Sequence, residues 1–410
     1  MDVVLGFLEE PINKDELTSN YFPNKIGGKP AWLDLGNIPK REELLCEKCS
    51  KQMSFLLQIY APWDEKKECH HRSVFIFCCQ NGGCNYYKAI RSQLEQVNEY
   101  YPEDAEERKY EEGYSISEEK YLVNRQTTCE FCGLHSKSKC AGCQKVNYCC
   151  KEHQQADWDL GHREQCKILK EKPDTPSDKL PSKKQVDFLF KEFELINETM
   201  ELLDFPMYHN YGSSSGASGA DQDDEDDEEE HEDDDADDVE IDEHGNVVKM
   251  SQCKDLMITK EITTNDPDTI KDFEDYVGET GKSGGFNDET FLNIKDKQLL
   301  YFRRILAKDQ DQVLRYCRDP NYPIVWVSET DKQNPQEVPC CENCGGNRKF
   351  EFQILPPLLY FLGMDQQLMS TIDIDFGVLS IYTCENSCKK NSTYKNSLIN
   401  EFIFKQDFKK

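Results

Sequence analysis

The sequence has no long apolar run and a deficit of positive charge. No stretch of about eighteen apolar residues occurs among its 410 residues, so we expect no membrane-spanning segment. Its 49 Lys and Arg stand against 79 Asp and Glu, which gives a formal net charge of -30. This imbalance disfavours direct DNA binding and favours basic partners. An apolar N-terminal signal segment and a glycine-rich cofactor loop are also missing.

The negative charge is concentrated in one segment. Residues 221–243 contain 18 Asp or Glu among 23 residues and follow a stretch rich in Ser and Gly. This composition predicts disorder. Two interpretations stay open, since the run could shield a basic partner or act as a solubilising linker with no partner.

Twenty cysteines without a signal segment indicate a reducing compartment and metal ligation rather than disulfides. The densest group consists of four spaced pairs: Cys129-x2-Cys132, Cys140-x2-Cys143, Cys149-x3-His153 and His162-x3-Cys166. Two intervening residues let a tight turn aim both sulfurs at one metal, and positions i and i+4 share a helix face. Eight such ligands suffice for two closed, four-coordinate Zn²⁺ sites, which are expected to be structural.

This segment resembles the MYND zinc finger, because Tyr148-Cys149, Gln154 and Trp158 also stand where that family has them. The resemblance implies interleaved ligands, with one zinc held by Cys129, Cys132, Cys149 and His153, and the other by Cys140, Cys143, His162 and Cys166. His153 replaces the usual cysteine and remains a competent ligand. MYND modules bind proline-containing peptides, so Gln154 and Trp158 are candidate contacts. Trp158 could equally be a core residue of a small domain.

Two further cysteine sets flank strand-like sequence in the two ends of the chain. Cys46-x2-Cys49 and Cys79-x4-Cys84 enclose two apolar runs, as in a zinc ribbon. Cys341-x2-Cys344 and Cys384-x3-Cys388 repeat that plan. We therefore expect two more Zn²⁺ sites.

The repeat extends beyond the cysteines and indicates a degenerate duplication. Gln353-Ile354 follows the second pair as Gln58-Ile59 follows the first, and an aromatic residue stands two positions before Cys384 and before Cys79. This agreement selects Cys79 rather than the adjacent Cys78 as the ligand. Trp32 and Trp326 precede the two sets at similar distances.

These features predict an α+β, mainly β protein: a duplicated β-rich domain assembled from both chain halves, with zinc-ribbon-like knuckles and an inserted MYND finger. Residues 94–120 could be a solvated helix or an irregular linker, and 185–203 could be a helix or a strand. Phe291–Leu306 predicts an amphipathic helix. The expected segments are the N-terminal half (1–93), a charged connector (94–124), the finger (125–168), a flexible tether (169–185), an element returning to the β-rich domain (186–210), a disordered acidic linker (211–285) and the C-terminal half (286–410).

Taken together, the sequence resembles the programmed cell death protein 2 family. The supporting residues include Lys25-Ile26-Gly27-Gly28-Lys29-Pro30-Ala31-Trp32-Leu33, Val313-Leu314-Arg315-Tyr316, Arg348-Lys349-Phe350-Glu351-Phe352-Gln353 and Tyr382-Thr383-Cys384. The resemblance implies a dedicated chaperone that captures a newly made, basic ribosomal protein of the small subunit, of the S5 class, in ribosome biogenesis. It further implies a cytoplasmic and nuclear protein.

Two other functions compete with this expectation. An enzyme is disfavoured, because fourteen cysteines are assigned to metal and only Cys69 beside His70 and His71 hints at a thiol nucleophile. His71 could instead be a core histidine or lie near the Cys46 and Cys49 site. A nuclear scaffold that recruits transcription or cell-death regulators through the MYND finger is the alternative function.

Overall fold

The computed structural model describes the following parts of the chain: residues 3–103, 121–176, 179–184, 188–200, 240–241, 247–248, 296–319, 324–362, 374–389 and 398–408. Most of the acidic run at 221–243, and Cys253, lie outside the described residues. The described residues of 3–199 and 296–410 form one compact unit, and those of 200–295 belong to a second. Within the predicted disordered linker (211–285), the described residues Glu240–Ile241 and Val247–Val248 pair as antiparallel strands.

The fold is mainly β, as predicted, with fourteen strands and four α-helices in the described residues. The strands are β1 (Val3–Glu9), β2 (Lys25–Ile26), β3 (Ser54–Tyr60), β4 (His71–Cys78), β5 (Tyr87–Leu94), β6 (Ser138–Lys139), β7 (Asn147–Tyr148), β8 (Phe193–Met200), β9 (Glu240–Ile241), β10 (Val247–Val248), β11 (Leu314–Tyr316), β12 (Arg348–Ile354), β13 (Val378–Cys384) and β14 (Ile399–Gln406). The helices are α1 (Lys151–Asp157), α2 (Arg163–Glu171), α3 (Lys297–Lys308) and α4 (Pro357–Phe361).

Ten strands form a closed barrel in the order β1-β11-β12-β13-β14-β5-β4-β3-β2-β8. The order consists of two sets of five. The second half-barrel is β1, β11, β12, β13 and β14; the first half-barrel is β8, β2, β3, β4 and β5. Each set therefore takes one strand from a distant part of the chain: β1 comes from the N-terminus and β8 from beyond the finger. The sequence leaves the segment 185–203 open between helix and strand, and its described part contains the strand β8; residues 185–187 and 201–203 lie outside the described residues.

The predicted duplication is confirmed at the level of register. β3 pairs with β4, and β12 with β13, and each pair has a shift in register, between Phe55 and Leu57 and between Phe350 and Phe352. In the first half-barrel, Gln58 accepts from the N–H of Ala31 (2.9 Å) and donates to its carbonyl (3.3 Å). Gln353 makes the same two bonds to Val325, at 2.9 and 2.8 Å. A buried side-chain amide thus fastens the segment before each tryptophan to its half-barrel.

Successive side chains along each strand point alternately to the barrel interior and to its outer face. On β4, Val74 and Ile76 belong to an apolar cluster with members from both half-barrels, and Phe75 and Phe77 point to the opposite face. The shared cluster fills much of the interior, because it also includes residues of β11, β12 and β13.

The two outer faces are covered by different elements. On the first half-barrel, Trp32 lies 4.7 Å from the Phe75 ring, in the same apolar cluster as the finger. On the second, residues of α3 pack against Trp326 and Val378. The predicted amphipathic helix is therefore present, and its N-cap Asp296 accepts from the hydroxyl of Ser328 at 2.9 Å.

Buried ion pairs join the half-barrels. Arg72 of β4 forms a bidentate pair with Glu351 of β12, at 2.6 and 2.7 Å. Glu401 of β14 accepts from Arg91 of β5 (2.7 Å) and from Arg348 (3.1 Å). Burial alone would raise the pKa of Glu351, but the charge of Arg72, followed by that of Arg318, holds it well below its usual range.

The finger contains the hairpin of β6 and β7, then α1, a π-helical turn at Trp158–His162, and α2. The turn contains Gly161 with a φ of 147°, a conformation that L side chains rarely adopt. The finger contacts the barrel at Trp32, whose indole N–H donates to the carbonyl of Gly133 at 2.7 Å.

The segment predicted as a flexible tether, 169–185, makes contacts that a free tether would not make. α2 continues to Glu171, and the N–H of Lys184 donates to the carbonyl of Leu160 at 2.9 Å. The physical reason is electrostatic, because Lys183 pairs with the buried carboxylate of Asp157 at 2.8 Å.

No helix in the described ranges is long and apolar enough to cross a membrane.

Candidate metal centres

Each Cys-x2-Cys pair lies in the same kind of tight knuckle. The N–H four residues after the first cysteine donates back to that cysteine's carbonyl, at 2.8 to 3.0 Å, in all four knuckles. The residue at that position has a positive φ in each case: Ser50 (57°), Gly133 (76°), Gln144 (59°) and Gly345 (70°). This left-handed residue reverses the chain, so that both sulfurs face the same point.

The finger brings its eight predicted ligands together in two buried groups of four. The first group is Cys129, Cys132, Cys149 and His153, and the second is Cys140, Cys143, His162 and Cys166. This is the membership that the family resemblance implied.

The two finger histidines face their groups through different ring nitrogens. His153 lies on α1, four residues after Cys149, and presents Nδ1 at 3.3 Å from the Cys149 sulfur. His162 lies in the π-helical turn and presents Nε2 at 3.7 Å from the Cys143 sulfur. The other nitrogen of each ring is therefore the one left for an outer contact.

The barrel carries the other two groups, one at the end of each duplicated strand pair. They are Cys46, Cys49, Cys79 and Cys84 in the first half-barrel, and Cys341, Cys344, Cys384 and Cys388 in the second. The structure thus places Cys79 rather than Cys78 in the group, and Cys78 is in the barrel interior instead.

Backbone N–H groups favour the thiolate at equivalent positions of these two groups. A bond from the N–H of Lys51 lowers the pKa of the Cys49 thiol to about 7. The N–H of Gly346 likewise lowers the pKa of the Cys344 thiol to about 7. Thiolate is the form that binds a metal.

The donor sets and their spacing fit zinc. A tetrahedral ion with metal–sulfur distances of about 2.3 Å requires sulfurs about 3.8 Å apart. The sulfurs lie 3.6 Å apart in Cys49–Cys79 and Cys341–Cys388, and 3.7 Å apart in Cys132–Cys149 and Cys140–Cys166. Within each group all four ligand atoms lie within 4.8 Å of one another. The four groups therefore suit four Zn²⁺ ions, two of them in the finger, each with a closed set of four protein ligands.

Charged side chains next to the finger ligands form a connected set. Asp157 accepts from the hydroxyl of Tyr148 at 2.6 Å, and Lys183 contacts Asp157 at 2.8 Å and Glu130 at 3.0 Å. Burial disfavours the charged forms of both groups, so by itself it would raise the pKa of Glu130 and lower the pKa of Lys183. The charges of Lys29 and Lys183 nevertheless lower the pKa of Glu130, and those of Glu130 and Asp157 raise the pKa of Lys183.

The barrel groups differ in their access to solvent. Cys46, Cys79 and Cys84 are buried and Cys49 is half-buried, in the apolar cluster shared with the finger. In the second half-barrel Cys344 is exposed, and the buried apolar neighbours are few. Here the ion pairs between the half-barrels support the backbone instead, since Glu401 accepts from the N–H of Cys384 at 3.0 Å.

The remaining candidate residues are placed as follows. Gln154 and Trp158, the predicted peptide contacts, are both half-buried on the helical part of the finger, and the Trp158 ring lies 6.0 Å from that of His162. Cys69 is buried. His71 contacts the Tyr60 hydroxyl at 2.9 Å at the opposite end of β4 from Cys79, so it is a core histidine remote from the metal group.

Sequence reasoning missed the charged residues that support these sites, notably Arg72, Glu351, Glu401 and Lys183. Their partners lie far away in sequence, so no spacing rule connects them. One signal was available: Arg72 is the single charge in β4, and Glu351 stands between two phenylalanines of β12, which predicts a buried partner for each.

Comparison with known proteins gives matches over nearly the whole chain. Three family models match: Programmed cell death protein 2, N-terminal domain, at residues 2–108, MYND finger at 129–166, and Programmed cell death protein 2, C-terminal putative domain, at 296–407. Programmed cell death protein 2 of Bos taurus is 30% identical over 409 residues, covering 98% of this chain and 96% of that protein. The Mus musculus protein of the same name is 30% identical, covering 99% and 96%. Programmed cell death protein 2-like of Homo sapiens is 24% identical, covering 94% and 91%. No solved structure matches.

Proposed function

The chain belongs to the programmed cell death protein 2 family, and from this premise we propose that it is a dedicated chaperone for a newly made small-subunit ribosomal protein of the S5 class. Its proposed role is to bind this basic client during ribosome biogenesis. The main support for the proposal is the combination of a closed β-barrel, four zinc-binding groups and a net charge of -30.

The metal groups support a binding role rather than catalysis. Every ligand position in the four groups is supplied by a protein side chain, which is the arrangement of structural zinc. The barrel interior contains an apolar cluster and paired charges, so partners are expected to bind at the surface. The buried Cys69 lacks the exposure that a nucleophile needs. We therefore propose that the protein is not an enzyme.

The charge supports a basic client. A ribosomal protein has a positive surface intended for RNA, and an acidic binder would shield that surface before assembly. The run at 221–243 supplies 18 carboxylates for this purpose. The attraction should weaken with salt, because the screening length falls from about 10 Å at 0.1 M to about 3 Å at 1 M. The corresponding locations are cytoplasm, where the client is made, and nucleus.

A reconstitution tests the proposal directly. The purified S5-class protein is diluted into physiological salt with or without the full chain, and light scattering and size-exclusion chromatography follow its state. We expect a stable one-to-one complex and suppressed aggregation. An unrelated basic ribosomal protein of similar size is the control. Unchanged aggregation of the S5-class protein, or equal protection of the control protein, would refute a dedicated chaperone.

A second candidate function rests on the finger. Gln154 and Trp158 remain partly accessible on the helical part of a finger that is otherwise fastened to the barrel. This favours the alternative of a nuclear scaffold, whose finger would recruit transcription or cell-death regulators by binding proline-containing peptides. Gln154→Ala and Trp158→Ala should then weaken peptide binding in a fluorescence assay while client binding survives. Loss of client binding in both variants would instead assign the finger to the chaperone role.

A further inference from the structure

Residues 179–184, here termed the strap, follow the finger in sequence and lie against it. The side chain of Gln165 donates to the carbonyl of Pro181 at 2.7 Å. A Cβ on Gly161 would lie 3.2 Å from the Cα of Lys183, so the strap's backbone packs closely over the π-helical turn. The strap lies beyond the finger's last ligand, Cys166, and supplies no ligand itself.

Lys183 is the strap residue that pairs with carboxylates of the finger. Its ammonium contacts the carboxylates of Asp157 at 2.8 Å and Glu130 at 3.0 Å, and only 19% of its side chain is exposed. Asp157 is 3% exposed. A buried carboxylate needs a nearby cation or several donors, and Lys183 provides that cation from outside the finger.

Asp157 in turn faces a ligand of the second finger site. One of its oxygens accepts from Tyr148 and lies 4.0 Å from Nδ1 of His162. That nitrogen is buried and makes no hydrogen bond within the described residues. Nε2 of the same ring faces the sulfur of Cys143. The carboxylate therefore stands where it favours the tautomer with a proton on Nδ1, which leaves Nε2 free to bind metal.

The charge balance makes the lysine necessary. A zinc ion with three thiolates and one imidazole has a net charge of -1 by formal counting. Asp157 adds a second negative charge beside the second site, and Glu130, adjacent to the ligand Cys129, adds one beside the first. Lys29 also contacts Glu130, at 3.6 Å, so the loss of Lys183 would leave an uncompensated buried charge chiefly at Asp157, beside the second site.

We propose that Lys183 is a positioning residue of the second finger site, holding Asp157 in place so that His162 presents Nε2 to the zinc. The strap is then part of the finger rather than a tether that follows it. Loss of the lysine should lower zinc affinity at this one site by about 10- to 100-fold, the usual cost of removing an outer hydrogen-bonding partner of a metal ligand.

The test uses the full chain with Lys183→Met, which removes the charge and keeps much of the apolar stem. Cadmium-113 NMR of the cadmium-loaded protein should separate the finger sites, with three sulfurs and one nitrogen, from the barrel sites, with four sulfurs. During titration with a chelator, one finger signal should disappear at about 10- to 100-fold lower chelator concentration, with the other three unchanged. Nitrogen-15 NMR of the loaded protein should show a shift of the His162 Nδ1–H signal, because this proton loses the nearby carboxylate of Asp157.

Two variants act as controls. Lys183→Arg should restore the wild-type titration, and Lys145→Met, which removes an exposed ion pair with Asp174, should not change it. A double-mutant cycle of Lys183→Met with Asp157→Asn gives a further check. Lys183→Met should have little additional effect on zinc affinity once the carboxylate has been removed. Wild-type retention of all four metals by Lys183→Met would overturn the proposal. Equal weakening of all four sites, or additive effects of the two substitutions, would also overturn it.

Discussion

The two half-barrels share an internal plan and differ on the outside. Both have the same register shift, the same glutamine clamp and a four-cysteine group at the end of the strand pair. The first group belongs to an apolar cluster that continues into the finger, whereas the second has an exposed ligand, Cys344. The comparison indicates that each half keeps its strand register, its glutamine clamp and its cysteine group, while its outer face is covered by a different element.

The largest expected effect comes from removing a metal ligand in each half. A structural zinc contributes on the order of 10 kcal/mol to folding of the region it holds, so Cys46→Ser and Cys344→Ser should each unfold the knuckle that loses its metal. Cys46→Ser should also loosen the finger, because the two share one apolar cluster. Hydrogen–deuterium exchange should show this spread for Cys46→Ser and a loss confined to the second knuckle for Cys344→Ser. Equal spread in both variants would contradict the asymmetry.

The next effect concerns the contacts that hold the halves together. Glu351→Gln leaves Arg72 buried without a carboxylate, which should cost about 3–5 kcal/mol in the free energy of unfolding. The exposed pair of Glu164 and Lys167 is the control, and Glu164→Gln should change stability by less than about 1 kcal/mol. Denaturant titration of the zinc-loaded protein measures both, and equal small effects would mean that the halves are held by apolar contacts alone.

The same carboxylate predicts a pH dependence. Its folded pKa is depressed, so its contribution is fully present above the unfolded value of about 4.3 and declines as the pH falls below it. Over that range wild-type stability should fall more steeply than that of Glu351→Gln. Parallel curves from urea titrations at several pH values would exclude this linkage.

A matched pair of substitutions tests the symmetry itself. Gln58→Ala and Gln353→Ala each leave a buried backbone N–H and C=O without a partner, at an expected cost of about 1–3 kcal/mol. The two clamps share these bonds, but Gln58 also donates to the carbonyl of Pro23 at 3.1 Å, so Gln58→Ala should cost more, by up to about 1 kcal/mol. A large difference in their unfolding midpoints would show that only one clamp still contributes.

The smallest effect is kinetic. The half-barrel groups should release zinc at different rates, with the second faster because Cys344 is exposed and the first is covered. A difference of about tenfold corresponds to only about 1.4 kcal/mol in the barrier. Stopped-flow release to a coloured chelator, with Cys344→Ser identifying the fast phase, measures it. Faster release from the first group would reverse the expected order.

Much of this architecture could be predicted because metal ligands and strands leave local patterns. The pairs such as Cys46-x2-Cys49 follow from knuckle geometry, and the aromatic residue two positions before both Cys79 and Cys384 selected Cys79 over Cys78. Strand pairing across the chain could not be predicted, because alternation fixes which face is buried and not which strand lies beside it. The role of Lys183 was hidden for a related reason, since a lysine among prolines and serines is usually solvated.

The exchange of β1 and β8 between the half-barrels has a consequence for biosynthesis. Val4 pairs with Tyr316, so β1 waits during synthesis for a partner made more than three hundred residues later. At a synthesis rate of about 5–20 residues per second, the wait is roughly 15–60 s. Throughout this time β1 has an unpaired edge, which is a hazard for aggregation. A protein proposed to protect another newly made chain is therefore itself prone to aggregation while it is being synthesised.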